Sequence, residues 1–170
     1  MIIDVESLRD RHPRLLPETV DNLTLNVAVA LDRRHQPGVT MGIDLFGLVT
    51  EARVSWRSPP TGAATMLDRK RVTELGAEAI ALVIVHEARG WVASRRLQEG
   101  EFADWLLVDR NGQKVALEVS GTDGESVEAR IREKLAQVAK CEAGEMRAAC
   151  VVRFLEPTTL ARDYLADRPG

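Results

Sequence analysis

The sequence is poor in aromatic residues, and this scarcity limits the kind of core that it can build. Phenylalanine, tryptophan and tyrosine together make up 4% of the 170 residues. Apolar residues of all kinds make up 45% and charged residues 29%, which is ordinary for a globular domain and excludes a disordered chain. The sequence therefore predicts one domain with an extension, whose core is built on valine, leucine, isoleucine and alanine.

Cysteines and long hydrophobic runs are also few. The two cysteines, Cys141 and Cys150, suffice neither for a disulfide framework nor for a four-ligand zinc site. The longest apolar run, from Ala79 to Val85, is far shorter than a membrane span. The first ten residues carry acids where a secretory signal has a basic start and an apolar stretch. We therefore expect a cytoplasmic protein with reduced thiols and no membrane association.

The chain lacks the excess of positive charge that is typical of proteins coating nucleic acid. Its formal net charge is −3, and no segment forms a basic arm. A nuclease is still compatible with this balance, because catalytic carboxylates are themselves acidic and a local basic rim is sufficient. The charge argues against binding of nucleic acid by bulk electrostatics and is compatible with a localised binding site.

Alternating apolar residues near the N-terminus predict a β-hairpin. The alternation covers Leu23 to Leu31 and returns from Val39 to Leu45, on either side of a turn-rich segment. A third strand is predicted over 48–56, before the loop-like RSPPTG. These boundaries divide the chain into an N-terminal extension (1–62), a core (63–157) and a C-terminal helix or tail (158–170).

The core has a characteristic order of predicted elements: helix, three strands, helix, strand. Gly90 is expected to end the first helix, and Asn111-Gly112 is a strong signal for a tight hairpin between the second and third strands. Thr122 and Glu125 are predicted to open the second helix as a capping box. The predicted elements are a helix over 66–89, strands over 91–95, 104–109 and 114–120, a helix from 122 to 141, and a strand over 148–155.

Two acids lie at equal distances from the predicted hairpin turn. Asp104 enters one strand, Glu118 leaves the other, and residues equidistant from a turn face each other across a hairpin. Glu78 lies at the edge of the apolar stripe of the first helix and is expected to reach the same point. Carboxylate oxygens are preferred ligands of Mg²⁺, which supports phosphodiester hydrolysis.

With these acids, the order of elements resembles the PD-(D/E)XK nuclease superfamily. The resemblance covers roughly 66–155, through the segments GAE (76–78), HEARGW (86–91) and EFADWLLVDRNGQKVALEVSG (101–121). It implies an α/β restriction-endonuclease-like core, a central mixed sheet flanked by helices, that hydrolyses DNA or RNA. It also implies Mg²⁺ or Mn²⁺ held by Glu78 as the helix acid, Asp104 as the central aspartate and Glu118 as the acid of the E-x-K tripeptide.

One position departs from the family pattern. Ser120 stands where the family usually has lysine, and a hydroxyl supplies no positive charge to the developing oxyanion. Some members carry the lysine on a neighbouring helix, and Lys134 falls on the sheet-facing side of the second predicted helix. We therefore predict Lys134 as the substitute, with Gln137 holding a water or phosphate oxygen. The predicted catalytic residues are Glu118, Lys134 and Gln137.

Each of these residues also has a structural interpretation. Asp104 could bond its own turn, and Glu118 could lie on a solvated face of the sheet. Lys134 could cover apolar surface with its stem. Glu78 could pair with Arg71 or Arg89 on its own helix.

The sequence leaves three functions open. The first is a metal-dependent nuclease of weak or lost activity on DNA or RNA. The second is a catalytically silent nuclease-like subunit that binds a protein partner, which Ser120 and the acidic charge favour. The third is a small α+β interaction protein whose N-terminal hairpin mediates homo-oligomer formation.

Overall fold

A computed structural model describes residues 1–164 and has a mixed α/β fold. Over this range the chain forms five α-helices and one eight-stranded mixed sheet. The helices are α1 (Leu8–Arg11), α2 (Pro17–Asp32), α3 (Ala63–Met66), α4 (Arg69–Arg89) and α5 (Val127–Val138). The strands are β1 (Ile2–Asp4), β2 (Val39–Leu45), β3 (Leu48–Ser55), β4 (Val92–Arg96), β5 (Trp105–Val108), β6 (Lys114–Thr122), β7 (Met146–Arg153) and β8 (Thr158–Asp163).

The sheet runs in the order β1-β3-β2-β8-β7-β6-β5-β4. The pairs β1/β3, β2/β8 and β6/β7 are parallel, and the other neighbouring strands are antiparallel. Helix α4 packs between α2 and the sheet, and it is buried without interruption from Gly76 to Val85. Helix α5 packs on β6, β7 and β8 through a separate apolar cluster. The sheet therefore has a helix packed on each face.

The prediction of a strand over 23–31 was wrong, since these residues belong to α2. Pro17 occupies the first turn of this helix, where its fixed φ angle and missing N–H are tolerated. Val20, Leu23 and Val27 follow at intervals of three and four residues and are buried. The alanines between the apolar residues are buried too. Because alanine favours a helix, the alternation of larger apolar residues did not produce a strand.

The N-terminal hairpin is formed instead by β2 and β3. Its two-residue turn is Phe46-Gly47, with φ angles of 54° and 89°, as primed hairpin turns require. The predicted C-terminal helix or tail was also wrong for residues 158–163, which form β8 between β2 and β7. Residues 165–170 lie outside the described part of the chain.

The predicted order of elements between residues 66 and 155 is confirmed. Gly90 ends α4 with a φ of 68°, and Gly112 lies in the β5–β6 turn with a φ of 81°. The start of α5 differs from the prediction. Ser126, rather than Thr122, caps this helix, because its side chain accepts a hydrogen bond from the N–H of Ala129.

His12 is a buried polar residue that joins the N-terminal segment to α4 and β4. Its Nε2 lies 2.9 Å from the carbonyl oxygen of Leu82, and its Nδ1 accepts from the N–H of Ala93 at 2.9 Å. Both bonds are satisfied by the neutral ring that carries its proton on Nε2. Protonation of Nδ1 would set two N–H groups against each other, so the fold holds this ring neutral.

We predict that this histidine makes the fold less stable in mild acid. Burial lowers the pKa of His12 from 6.5 to about 4, so between these values the unfolded chain binds a proton that the folded chain does not. The contribution of His12 to the free energy of unfolding should therefore fall by about 3 kcal/mol as the pH drops through this window, and the difference between the wild type and a His12 variant isolates it from the opposite contribution of Glu118. Urea unfolding at a series of pH values measures the slope. His12→Gln is the control, and identical slopes for the two proteins would contradict the prediction.

Candidate functional site

The β5–β6 hairpin brings Asp104 and Glu118 together. Trp105 pairs with Leu117, so the residues before and after them also lie opposite each other. The N–H of Asp104 donates to the carbonyl oxygen of Leu117 at 3.1 Å, and Asp104 Oδ2 accepts from the N–H of Val119 at 2.7 Å. Asp104 therefore bonds across the hairpin and not within its own turn.

The two carboxyl groups are close enough to share a hydrogen bond, and each affects the ionisation of the other. Burial, followed by the negative charge of Asp104, raises the pKa of Glu118 to about 7. Burial likewise raises the pKa of Asp104. Because two adjacent carboxylates resist being charged together, the pair retains a proton more readily than separate acids would.

Lys134 lies beside this carboxyl pair. Its Nζ is 2.7 Å from Glu118 Oε1 and 3.0 Å from Gln137 Oε1. The buried stripe of α5, which includes Ile131 and Leu135, packs on the sheet and turns the edge that carries Lys134 toward β6. The Lys134 side chain is 16% exposed and that of Glu118 is 4% exposed, so their ion pair is well shielded from water. The structure thus places Lys134 and Gln137 at the predicted acids.

Sequence analysis missed a second cation on the same edge of α5. Arg130 Nη1 donates to the hydroxyl of Ser120 at 3.0 Å, and its guanidinium also pairs with Glu125. Arg130 precedes Lys134 by one helical turn, so the i, i+4 spacing was the available signal. The position that carries the family lysine is therefore contacted by an arginine from α5.

Glu78 does not join the carboxyl pair, contrary to what the resemblance implied. Its two oxygens accept from Arg96 at 3.2 and 2.6 Å, and Oε2 also accepts from Trp105 Nε1 at 2.9 Å. The Arg96 guanidinium lies 4.3 Å from the centroid of the Trp105 ring. Trp105 packs in the core on the α4 side of the sheet, whereas Glu118 faces α5. Glu78 makes no hydrogen bond to the pair, although the negative charge of Asp104 contributes, after burial, to raising the pKa of Glu78. Its partner is Arg96 rather than Arg71 or Arg89.

The arrangement of these acidic side chains determines whether they can bind a metal ion. Among residues 1–164, no group of three or more His, Cys, Asp or Glu side chains is placed to hold a metal ion. Two carboxylates are nevertheless sufficient for Mg²⁺, which usually keeps several waters and binds through one or two acids together with substrate phosphates. Asp104 and Glu118 provide that donor set, and a dication would relieve the repulsion between them.

Comparisons with protein family models, with curated proteins and with solved structures found no match for this chain. No helix in the described part of the chain is long and apolar enough to cross a membrane.

Proposed function

We propose that this chain is a divergent PD-(D/E)XK-like nuclease that hydrolyses phosphodiester bonds in DNA or RNA with Mg²⁺ or Mn²⁺. The observation that carries the proposal is the contact of Lys134 Nζ with Glu118 beside Asp104. This contact brings to the two acids of the motif the positive charge that Ser120 does not supply. The proposal also includes a restriction-endonuclease-like core.

The connections of the sheet support that core. Helix α4 leads into β4, β5 and β6, which form an antiparallel meander, and α5 then crosses over to β7, which is parallel to β6. In this arrangement Asp104 lies at the start of β5, Glu118 lies on the neighbouring strand β6, and Lys134 lies on the crossover helix. It agrees with the fold that the resemblance implies.

The residues of the site have separate tasks in the proposed reaction. Asp104 and Glu118 would hold the metal ion, which would activate water and offset the charge on the phosphate. To bind it, the pair gives up the proton that its raised pKa values favour. Lys134 contributes positive charge near the reacting phosphate and orients Glu118. Gln137 uses its oxygen to accept from Lys134, which leaves its amide nitrogen to donate to a water or phosphate oxygen.

A catalytically silent binding subunit is the second candidate, and one observation favours it. Lys134 bonds Glu118 directly, and the third acid of the motif is bound to Arg96. In this arrangement the lysine neutralises the carboxyl pair and competes with a metal ion for Glu118. The two candidates differ in whether a divalent cation binds the pair.

We predict that Mg²⁺ or Mn²⁺ stabilises the protein and that Asp104→Asn abolishes the effect. A ligand at ten times its Kd adds about 1.4 kcal/mol to the free energy of unfolding. For a chain of this size, the melting temperature should then rise by about 3–6 °C. Differential scanning calorimetry with and without metal measures this shift. The same samples, incubated with single- and double-stranded DNA and RNA, are assayed for cleavage.

A matched control comes from the exposed face of α5. Glu133→Gln removes a solvent-exposed carboxylate one residue from Lys134, so it should leave both the metal shift and cleavage unchanged. A metal shift without cleavage would favour the silent subunit with a retained cation site. Wild-type protein that shows neither a shift nor cleavage at millimolar metal would refute the nuclease proposal.

A further inference from the structure

An exposed phenylalanine lies close in sequence to the first acid of the carboxyl pair. Phe102 precedes Asp104 by two residues, and 45% of its surface is accessible. Its backbone φ is 63°, in the left-handed region that bulky residues rarely adopt. Neither burial of the ring nor a favourable backbone explains an aromatic residue at this position. Strained backbone of this kind is concentrated at functional sites.

The loop holds Phe102 in this position through a closed set of hydrogen bonds. Arg95 binds both carboxylate oxygens of Glu101, at 3.0 and 2.8 Å. The N–H of Gln98 donates to Glu101 Oε2 at 2.6 Å, and the N–H of Leu97 donates to the carbonyl oxygen of Asp104 at 2.9 Å. These hydrogen bonds connect β4, the loop and Asp104, and they hold the backbone that carries Phe102 in place.

Phe102 and Lys140 line a surface pocket of about 590 Å³ together with the acidic residues Glu101 and Glu142. The Lys140 Nζ is 5.8 Å from the centroid of the Phe102 ring. No salt bridge of Lys140 occurs within the described range, whereas the charge of Arg95 is neutralised by Glu101. The pocket therefore combines a partly exposed aromatic ring with a cation that lies over this ring and forms no salt bridge in the described range.

Two residues of this pocket lie within three residues of the carboxyl site along the chain. Phe102 lies on the segment that leads into Asp104, and Lys140 follows Gln137 by three residues at the end of α5. A polymer with one phosphate at the carboxyl pair would therefore bring its neighbouring residue to the pocket. In a nucleic acid, that neighbouring residue carries a flat base suited to an aromatic wall.

We propose that this pocket is a subsite for an unstacked nucleobase, which makes single-stranded nucleic acid the preferred substrate. The base stacks on Phe102, and Lys140 contacts the backbone phosphate. Bases inside a duplex are already stacked on each other and do not present a free face to the pocket. This inference rests on the proposed function, because the carboxyl site supplies the neighbouring phosphate position.

The experiment compares the binding of a fluorescent single-stranded oligodeoxynucleotide with that of its duplex, by anisotropy in a buffer containing Ca²⁺. The wild type should bind the single strand at least tenfold more tightly. Phe102→Ala should weaken single-strand binding by about tenfold, the expected effect of losing one base stack. Phe102→Trp should retain it. Leu48→Ala, an exposed apolar residue near the opposite edge of the sheet, should have no effect.

A further variant separates recognition from folding. Phe102→Gly removes the ring and suits the positive φ, so it should raise the melting temperature and still lose single-strand binding. A 2-aminopurine base in the oligonucleotide should be quenched by the wild type and not by this variant. Equal affinity of the wild type for single strand and duplex, or unchanged binding by Phe102→Ala, would overturn the proposal.

The outcomes also separate this inference from the proposed function. Metal-dependent cleavage with no role for Phe102 in binding would remove the base subsite and leave the nuclease. Phe102-dependent binding of single strands without cleavage would remove the hydrolytic function and leave the subsite. Absence of both would refute both.

Discussion

Lys134→Ala is expected to lower the rate of the proposed phosphodiester cleavage by about 10²–10³-fold, the usual effect of removing one group that stabilises charge in a transition state. No other lysine in the described part of the chain contacts the carboxyl pair, because Ser120 occupies the motif position and Lys134 alone donates to Glu118. The raised pKa of Glu118 allows it to bind a proton when its partner is lost, so the fold should survive. Single-turnover cleavage with saturating metal measures the effect.

The control for this variant is Arg132→Ala, which removes an exposed cation from the same helix and should leave cleavage unchanged. The metal-induced rise in melting temperature should persist in Lys134→Ala, because Asp104 and Glu118 are intact. Introducing Ser120→Lys into Lys134→Ala is expected to restore part of the activity by returning a charge to the motif position. Full cleavage by Lys134→Ala alone would refute the role assigned to this residue.

Gly121→Ala is expected to destabilise the protein by more than about 3 kcal/mol, at the upper end of overpacking effects. A Cβ atom at this position would overlap the carbonyl oxygen of Thr73 and lie 2.8 Å from its carbonyl carbon. It would also lie 3.0 Å from the Cβ of Ala77. The obstacle is mainly the backbone of α4, which cannot rotate away as a side chain can. Helix α4 would have to move off β6, the strand that carries Glu118.

Urea unfolding of Gly121→Ala should show this loss of free energy, and thermal unfolding should show a fall in melting temperature of at least about 6 °C. Gly42→Ala is the matched control, because Gly42 also lies in a strand and a Cβ there would meet only the carbonyl oxygen of Pro157, at 4.0 Å. Its stability should stay within about 0.5 kcal/mol of the wild type. A stability of Gly121→Ala equal to that of Gly42→Ala would contradict the close packing of α4 on β6.

Local signals predicted the part of the fold that contains the candidate site. Asn111-Gly112 specified the β5–β6 turn, and the distances from that turn were enough to place Asp104 opposite Glu118. The position of Lys134 followed from its place on the helical wheel of α5. These predictions succeeded because each depends on a single hairpin or helix, whose geometry is set by neighbouring residues.

The features that sequence analysis missed depend on contacts between distant segments. The alternation in α2 is compatible with a strand, and packing on α4 decides in favour of the helix. Glu78 pairs with Arg96, 18 residues later in the chain, because β4 lies beside α4. No local pattern marks Arg96 as the partner, since the choice is made by the way the helix packs on the sheet.

The pairing of β2 with β8 links the folding of this chain to its synthesis. Thr159 Oγ1 donates to the sulfur of Met41, 118 residues earlier in the chain. On the ribosome, the β2–β3 hairpin emerges while its neighbour β8 is still to be translated. Pairings over such sequence distances form slowly, and an open strand edge is a template for association with other chains. The nascent polypeptide is therefore most prone to aggregation during elongation, before β8 has covered that edge.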